Sequence, residues 1–273
     1  MNKLNKKDKL ISVIVPTFNS EKTIITCLNS ILSQKLENQI EIVVVDDNSS
    51  DKTIYLINKI KIKENFKLKI FRNKVNKGSG YCRKIGIGIS RGDYIAFLDS
   101  DDYWLKNKLL NQINFIENNP NINFTYSDYY REISFRNNLS FYKVNSPVMV
   151  DIKKNKYINH IPNSSVLIKS FLAKKKSYPS IRVRNDFLYW NKLLTVNKKI
   201  KAYNFDPGNA YFVYGSSLGI SSKKIKLIIN QWYLYRNHFK YSYFESTYGL
   251  FLNIFIFLFK NLVKKFSKKI RVL

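Results

Sequence analysis

The sequence is poor in acid, glycine, cysteine and histidine, and each shortage narrows what it can do. Across 273 residues, 47 Lys and Arg stand against 19 Asp and Glu, a formal net charge of +28. Two cysteines, Cys27 and Cys82, cannot staple a chain of this length. That excludes a disulfide framework and points to a reducing compartment, the cytoplasm. Two histidines, His160 and His238, are too few for a histidine-rich zinc centre. No glycine follows the first apolar run, where a dinucleotide-binding turn needs Gly-X-Gly-X-X-Gly, and there is no Gly-Lys-Ser/Thr phosphate loop. Gly78-Ser79-Gly80 comes only after the third such run, with Arg83 where a third glycine would stand. Long apolar runs are missing near the start as well: Leu10 to Val15 is too short for a signal-peptide core, and Pro16 ends it.

What remains is 45% hydrophobic, ample for a folded core. The runs Leu10–Pro16, Ile40–Asp46, Leu68–Phe71 and Tyr94–Leu98 are short, apolar and β-branched, the pattern of buried parallel strands. Between them the spacing predicts helices over Glu21–Leu36, with Ile24, Leu28, Ile31 and Leu32 on one face, over Asp51–Ile62 and over Tyr81–Ile89. A βαβαβαβ order of this kind predicts a parallel sheet whose ligands bind beyond the carboxyl ends of the strands.

Those ends read Pro16-Thr17-Phe18-Asn19, Asp46-Asp47-Asn48-Ser49-Ser50-Asp51 and Asp99-Ser100-Asp101-Asp102. Scarce acid is thus gathered where like charges repel. A calcium loop does not explain it, because Trp104, counted from Asp99, and Lys52, counted from Asp47, fall where the tight turn needs glycine. A carboxylate pair flanking one residue suits a hard divalent cation completed by phosphate oxygens. The plainer alternative makes Asp102 the N-cap of a helix beginning near Leu105.

Lysines are scattered over most predicted helix faces, so the charge reads as a solvated surface and no nucleic-acid partner is expected. The C-terminus differs. "GLFLNIFIFLFKNLVKKFSKKIRVL" joins an apolar segment, Leu250 to Phe259, to Lys260, Lys264, Lys265, Lys268, Lys269 and Arg271. Asn253 and Lys260 interrupt it before the ~20 apolar residues a membrane span requires, so it is expected to lie in the interface of an anionic membrane or to pack on its own domain.

Four stretches, "SVIVPTFNSEKTIITCLNSILSQ", "IEIVVVDDNSSDKT", "NKGSGYCRKIGI" and "GDYIAFLDSDDYW", resemble in order and spacing the signatures of the family 2 glycosyltransferases. "IPNSSVLIKS", "RVRNDFLYWNKLL" and "KLIINQWYLYRNHF" are similar to segments of bacterial cell-surface polysaccharide enzymes of that family. The resemblance implies a GT-A fold, Rossmann-like, over residues 1–220, with a helical C-terminal appendage over 221–273. It implies inverting transfer from a nucleotide-diphosphate sugar, a UDP-sugar being the usual donor, with Mn2+ or Mg2+, to a hydroxyl of a glycan or lipid-linked acceptor; the C-terminal segment is expected to bring the enzyme to the inner face of the cytoplasmic membrane. By position, Pro16 and Phe18 line the base pocket, Asp47 meets the uracil, Asp99 the ribose or the metal, and Asp101 is the direct metal ligand. Arg83 sits near the nucleotide, and Thr17, Gly78 and Ser100 complete the donor pocket. Asp186, in Asn185-Asp186, stands where the family keeps its general base, although a carboxylate at a helix start also serves as an N-cap. Cys82 reads as a packing residue. The rival readings are a nucleotide-sugar-binding protein without transfer and a basic nucleic-acid-binding protein.

Overall fold

Strands β1 (Ile11–Thr17) and β2 (Ile40–Asp46) are buried at every position, as their Val- and Ile-rich sequences suit strands covered on both faces. The computed structural model describes residues 9–135, 138–214 and 224–266. β1 and β2 pair in parallel along their length, β3 (Phe66–Arg72) continues beyond β2, and β4 (Tyr94–Phe97) pairs with β1 on the other side. The crossovers run through α1 (Ile24–Leu32), α2 (Thr53–Asn58) and α3 (Ser79–Ile89). The alternation expected from the sequence is present, with α1 and α2 shorter than their periodicity suggested. Gln34 explains the end of α1: it donates to Leu105 O at 3.0 Å and accepts from Leu109 N at 3.0 Å, so it tethers a neighbouring loop.

Past β4 the helix expected near Leu105 starts three residues later. Tyr103–Trp104 is a short strand, β5, and α4 (Lys108–Asn118) begins later, behind Asn107 at φ 63°. Asp102 is therefore not a helix cap. Its carboxylate is buried and accepts from Ser164 Oγ at 2.5 Å.

The second half supplies β6 (Phe124–Tyr126), β7 (Asp128–Phe135), β8 (Asn138–Val144), β9 (Met149–Val150), a 3-10 turn at Asn163–Ser165, β10 (Leu167–Lys169), α5 (Ser170–Ala173), α6 (Asn185–Leu194), β11 (Ala202–Asn204) and β12 (Ala210–Tyr214). The main sheet runs β3-β2-β1-β4-β10-β6-β11-β9, and β10 is antiparallel to β4, which ends the parallel run. A smaller sheet, β5-β12-β7-β8, pairs residues from both halves of the chain. One apolar core lies under α1 and α4, and a second, with Phe97, Phe124 and Trp190, lies under α6.

α7 (Lys224–Tyr233) passes into a π-helical turn at Leu234–His238, and α8 (Tyr243–Phe266) follows. Part of α8 packs on the domain. Ser246 is buried, Asn253 Nδ2 donates to Tyr157 O at 2.9 Å and Tyr235 Oη at 3.0 Å, and Lys156 pairs with Glu245 at 2.8 Å. The other face leaves Phe244, Tyr248, Phe251 and Phe255 exposed by 82, 54, 71 and 66%. Among the described residues no helix is long and apolar enough to cross a membrane. The boundary expected near residue 220 and the cations Lys268, Lys269 and Arg271 lie outside the described residues.

Candidate active site

The ends of β1 and β2 are locked by short polar loops. Asp46, buried, accepts from Ser49 N at 3.0 Å and pairs with Arg72 Nε at 3.2 Å. Asp47 accepts from Asn73 Nδ2 at 2.8 Å, Lys77 N at 2.8 Å and Gly78 N at 2.6 Å, so its carboxylate ties the glycine loop to the end of β2. Gly78 is needed there, because its φ of 91° is one that residues with a Cβ rarely adopt. Gly80 is needed for closeness: a Cβ would stand 2.3 Å from Pro179 O, so the glycine loop and the segment leading to α6 meet backbone to backbone. Pro16 and Thr17 are buried at the end of β1, and Phe18 projects with 48% of its surface exposed. The Thr17 hydroxyl is buried and meets no hydrogen-bond partner among the described residues.

The acidic cluster after β4 is held together by partners that draw its members apart. Asp99 accepts from Arg83 Nη2 and, at 3.0 Å, from Asn163 Nδ2, while Asp102 turns inward to Ser164. Ser100 Oγ lies 2.8 Å from Ser20 Oγ. Arg83 is buried and its Nη1 donates to Asn185 Oδ1 at 2.6 Å. Burial opposes its charge, but Asp99 outweighs that penalty and holds the guanidinium protonated. Arg83 thus links a carboxylate at a strand end to the first residue of α6. Cys82 behind it has its thiol pushed up to about 12 by burial and by Asp47, so it is inert packing, as expected.

Asp186 is the second residue of α6, where a carboxylate meets the positive end of the helix. The N-cap position belongs to Arg184, at φ 58°, and no side chain caps the helix. Asp186 Oδ2 accepts from Asn159 Nδ2 at 2.8 Å. Asp99, Asp102, Arg83 and Asp186 line one cavity of about 780 Å³ with Tyr129, Arg131 and Tyr214 of the smaller sheet and Ile256 of α8. Asp101 stands outside this wall, half-buried. Burial, then Asp102, Asp101 and Asp99, push the Tyr214 hydroxyl upward, so it stays protonated beside the acids. Among the described residues no three His, Cys, Asp or Glu side chains gather around a point that could hold a metal. The donors on offer are Asp99 and Asp101, hard oxygens that suit a divalent cation only when phosphate oxygens complete its shell.

Asn159, Asn163, Ser164, Arg184 and Asn185 are site residues that sequence reasoning did not single out. Their segments, "IPNSSVLIKS" and "RVRNDFLYWNKLL", were flagged, but neutral amides and hydroxyls carry no signature of their own. Asp128 and Asp151 serve structure: Asp128 is buried and accepts from Ser146 N, Asn204 Nδ2 and Gly208 N, and Asp151 closes a turn on Lys154 N.

Acidic strand ends face a helix-borne carboxylate across one cavity of an α/β sheet, an arrangement suited to a group-transfer enzyme. Residues 12–178 match the description "Glycosyl transferase family 2". The chain is 37% identical, over 82% of its length and 84% of the relative's, to the UDP-Glc:alpha-D-GlcNAc-diphosphoundecaprenol beta-1,3-glucosyltransferase WfaP of Escherichia coli. It is 30% identical, over 94% and 97%, to the putative teichuronic acid biosynthesis glycosyltransferase TuaG of Bacillus subtilis. Among solved structures, TarS 1–349 of S. aureus in complex with UDP-GlcNAc superposes with TM-score 0.64 at 23% identity, over 88% of this chain and 70% of that one. Mannosyltransferase PcManGT from Pyrobaculum calidifontis, in complex with GDP-Man and Mn2+, superposes with TM-score 0.65 at 17% identity, over 86% and 65%. The chain belongs to glycosyl transferase family 2 and has the GT-A fold.

Proposed function

We propose that this glycosyltransferase moves a sugar from a UDP-sugar, with inversion, to a hydroxyl of a lipid-linked acceptor during assembly of a bacterial surface polysaccharide. The observation that carries the reading is the shared cavity: Asp99 on the donor side and Asp186 on α6 face it together and are joined through Arg83 and Asn185. Two relatives from Escherichia coli support the substrate classes, since both are named as glucosyltransferases from UDP-Glc to GlcNAc-diphosphoundecaprenol.

The base lies at the ends of β1 and β2, beside Pro16, Thr17 and Phe18, with Asp47 offering its remaining lone pair to the uracil N–H and Gly78 and Ser100 flanking the donor. Asp99 and Asp101 would hold Mn2+ or Mg2+ together with the donor's phosphate oxygens, and such an ion would supply positive charge for the diphosphate. Asp186 accepts the proton of the acceptor hydroxyl as its oxygen bonds to the anomeric carbon and the bond from that carbon to the diphosphate breaks. Attack and departure occur on opposite faces, so one displacement inverts the centre and no enzyme nucleophile is needed. Asn159, bonded to Asp186 Oδ2, aims the carboxylate.

The domain extends to about residue 220, and the helices beyond it bring the enzyme to the cytoplasmic face of the membrane. The exposed aromatic stripe of α8 and the lysines that follow it in sequence support that placement. UDP with Mn2+ should raise the melting temperature more than UDP with EDTA, and equal shifts would sink the metal assignment. Removing residues 250–273 should release the protein from anionic vesicles without abolishing the UDP response.

A further inference from the structure

Arg184 lines the cavity two residues before Asp186. Its Nε is buried without an acceptor, and its guanidinium takes part in no hydrogen bond or ion pair among the described residues. Arg83, on the same cavity, is paired with Asp99 and Asn185. The backbone at Arg184 is left-handed, φ 58° and ψ 25°, a conformation that costs a residue with a Cβ about 1 kcal/mol or more and suits glycine or asparagine better. An arginine thus stands at a strained position where its charge meets no hydrogen-bond or ion-pair partner among the described residues.

The position also has a side. α6 meets the donor carboxylate through Asn185 and Arg83, whereas the charge of Arg184 is felt at the hydroxyl of Tyr235, the group that accepts from Asn253 of α8 at 3.0 Å. Ile256 of the same helix also lines the cavity, and Phe251 and Phe255 on that helix are exposed. A molecule with an anionic head and an apolar tail would put the head at Arg184 and leave the cavity along α8.

We infer that Arg184 binds the diphosphate of the lipid-linked acceptor and so holds the acceptor sugar with its hydroxyl at Asp186. This rests on the transfer reading above and assigns the group that recognises the acceptor. A guanidinium suits the task, since its planar fork takes two phosphate oxygens at once. The donor also carries a diphosphate, so the experiment must tell the two apart.

Full-length protein is titrated calorimetrically with farnesyl diphosphate and, separately, with UDP and Mn2+. Arg184→Asn suits the comparison because asparagine tolerates the left-handed region and caps helices well. It should weaken farnesyl diphosphate about tenfold or more, as loss of a charged hydrogen-bond donor does, and leave UDP affinity unchanged. Arg184→Lys should recover part of the loss. If UDP weakens and farnesyl diphosphate does not, the arginine belongs to the donor and the inference is wrong. Equal loss of both, no change in either, or a wild type that ignores farnesyl diphosphate overturns it too. Should Arg184→Asn lower the melting temperature, Arg184→Gly is read in its place. Wild-type protein that binds farnesyl diphosphate through Arg184 but never binds UDP would defeat the donor assignment alone.

Discussion

The two sides of the cavity, one proposed for the donor and one for the acceptor, are built by different means. Toward the proposed donor side, Asp99 lines the cavity and Asp47 and Gly78, which do not, come from the same 53 consecutive positions, counting Asp47 through Asp99, where backbone amides hold a carboxylate: Lys77 N and Gly78 N both donate to Asp47. On the acceptor side the wall is assembled from β7, the loop around Asn159, the start of α6 and Ile256 of α8, and side-chain amides do the tying, Asn159 to Asp186 and Asn253 to Tyr157 O. A sheet edge fixes its residues through the strand ladder, so that half can hold one ligand in one pose. Loops joined by single side-chain contacts can be altered without breaking a strand, which suits the half that must choose an acceptor.

The comparison is broken most severely at Asp186. Asp186→Asn keeps the shape, and the residue does not cap its helix, so stability and UDP affinity should survive while transfer falls by about a hundredfold or more, the scale of a lost general base. Near-normal turnover would remove Asp186 as the base. Asp47→Ala should give the complementary defect. Three hydrogen bonds to a buried carboxylate disappear, two of them from backbone amides left unsatisfied, so stability should drop by on the order of 3 kcal/mol and UDP should bind weakly or not at all. Chemical denaturation with a UDP titration measures both, and intact UDP affinity would show that the loop does not shape the donor pocket.

How legible each half was in the sequence follows from the same difference. β1, β2 and β4 were readable as short runs rich in apolar residues, whereas β3, expected to be buried, is a largely exposed edge strand carrying Lys67, Lys69 and Arg72; the acids at the ends of β2 and β4 stood out in a chain with little acid. The fate of Asp102 was not readable: it depended on Tyr103–Trp104 pairing with β12, more than a hundred residues away. Asn185 and Arg184 were hidden because one is neutral and the other is one of 47 cations. Asp186 was legible only by resemblance, and its link to the donor side runs through Arg83 across 102 positions. α8 was recognised as amphipathic, but the face that packs is set by a glycine and an asparagine, which hydropathy does not rank as contact residues.

That packed face offers a smaller test. At Gly249 a Cβ would stand 2.6 Å from Tyr157 Cδ1 and 2.9 Å from Tyr235 Cε2. Gly249→Val should therefore push α8 off the domain at a cost of about 1–3 kcal/mol, the range for overpacking. Protease cleavage between Phe239 and Ser242 should speed up while UDP affinity stays at the wild-type value. Reduced UDP affinity would mean that the two halves are coupled more tightly than their construction suggests.

The smallest effect is expected from pH, and it too is confined to the acceptor side. Burial, with Lys192 and Lys240 adding to it, lowers the His238 pKa below 6.5, so the folded state disfavours the charged ring. The unfolded chain then binds more protons, and the contribution of His238 is fully present above 6.5 and lost as pH falls through that value toward the folded pKa. Glu245 is lowered to about 2 by the hydrogen bond from Lys156. Its contribution is present above the ordinary 4.5 and is lost as pH falls toward about 2. Both signs are the same, so acid should loosen α7 and α8 in two steps, the first belonging to His238 alone. Hydrogen exchange of the α8 amides, compared at pH 7.5, 5.5 and 3.5 with intrinsic rates divided out, should show protection falling at each step. His238→Gln should remove the first step and Glu245→Gln the second. Glu245 is partly exposed and its pair is screened, so the second step should shrink in high salt, whereas the first, whose largest cause is burial, should shrink less.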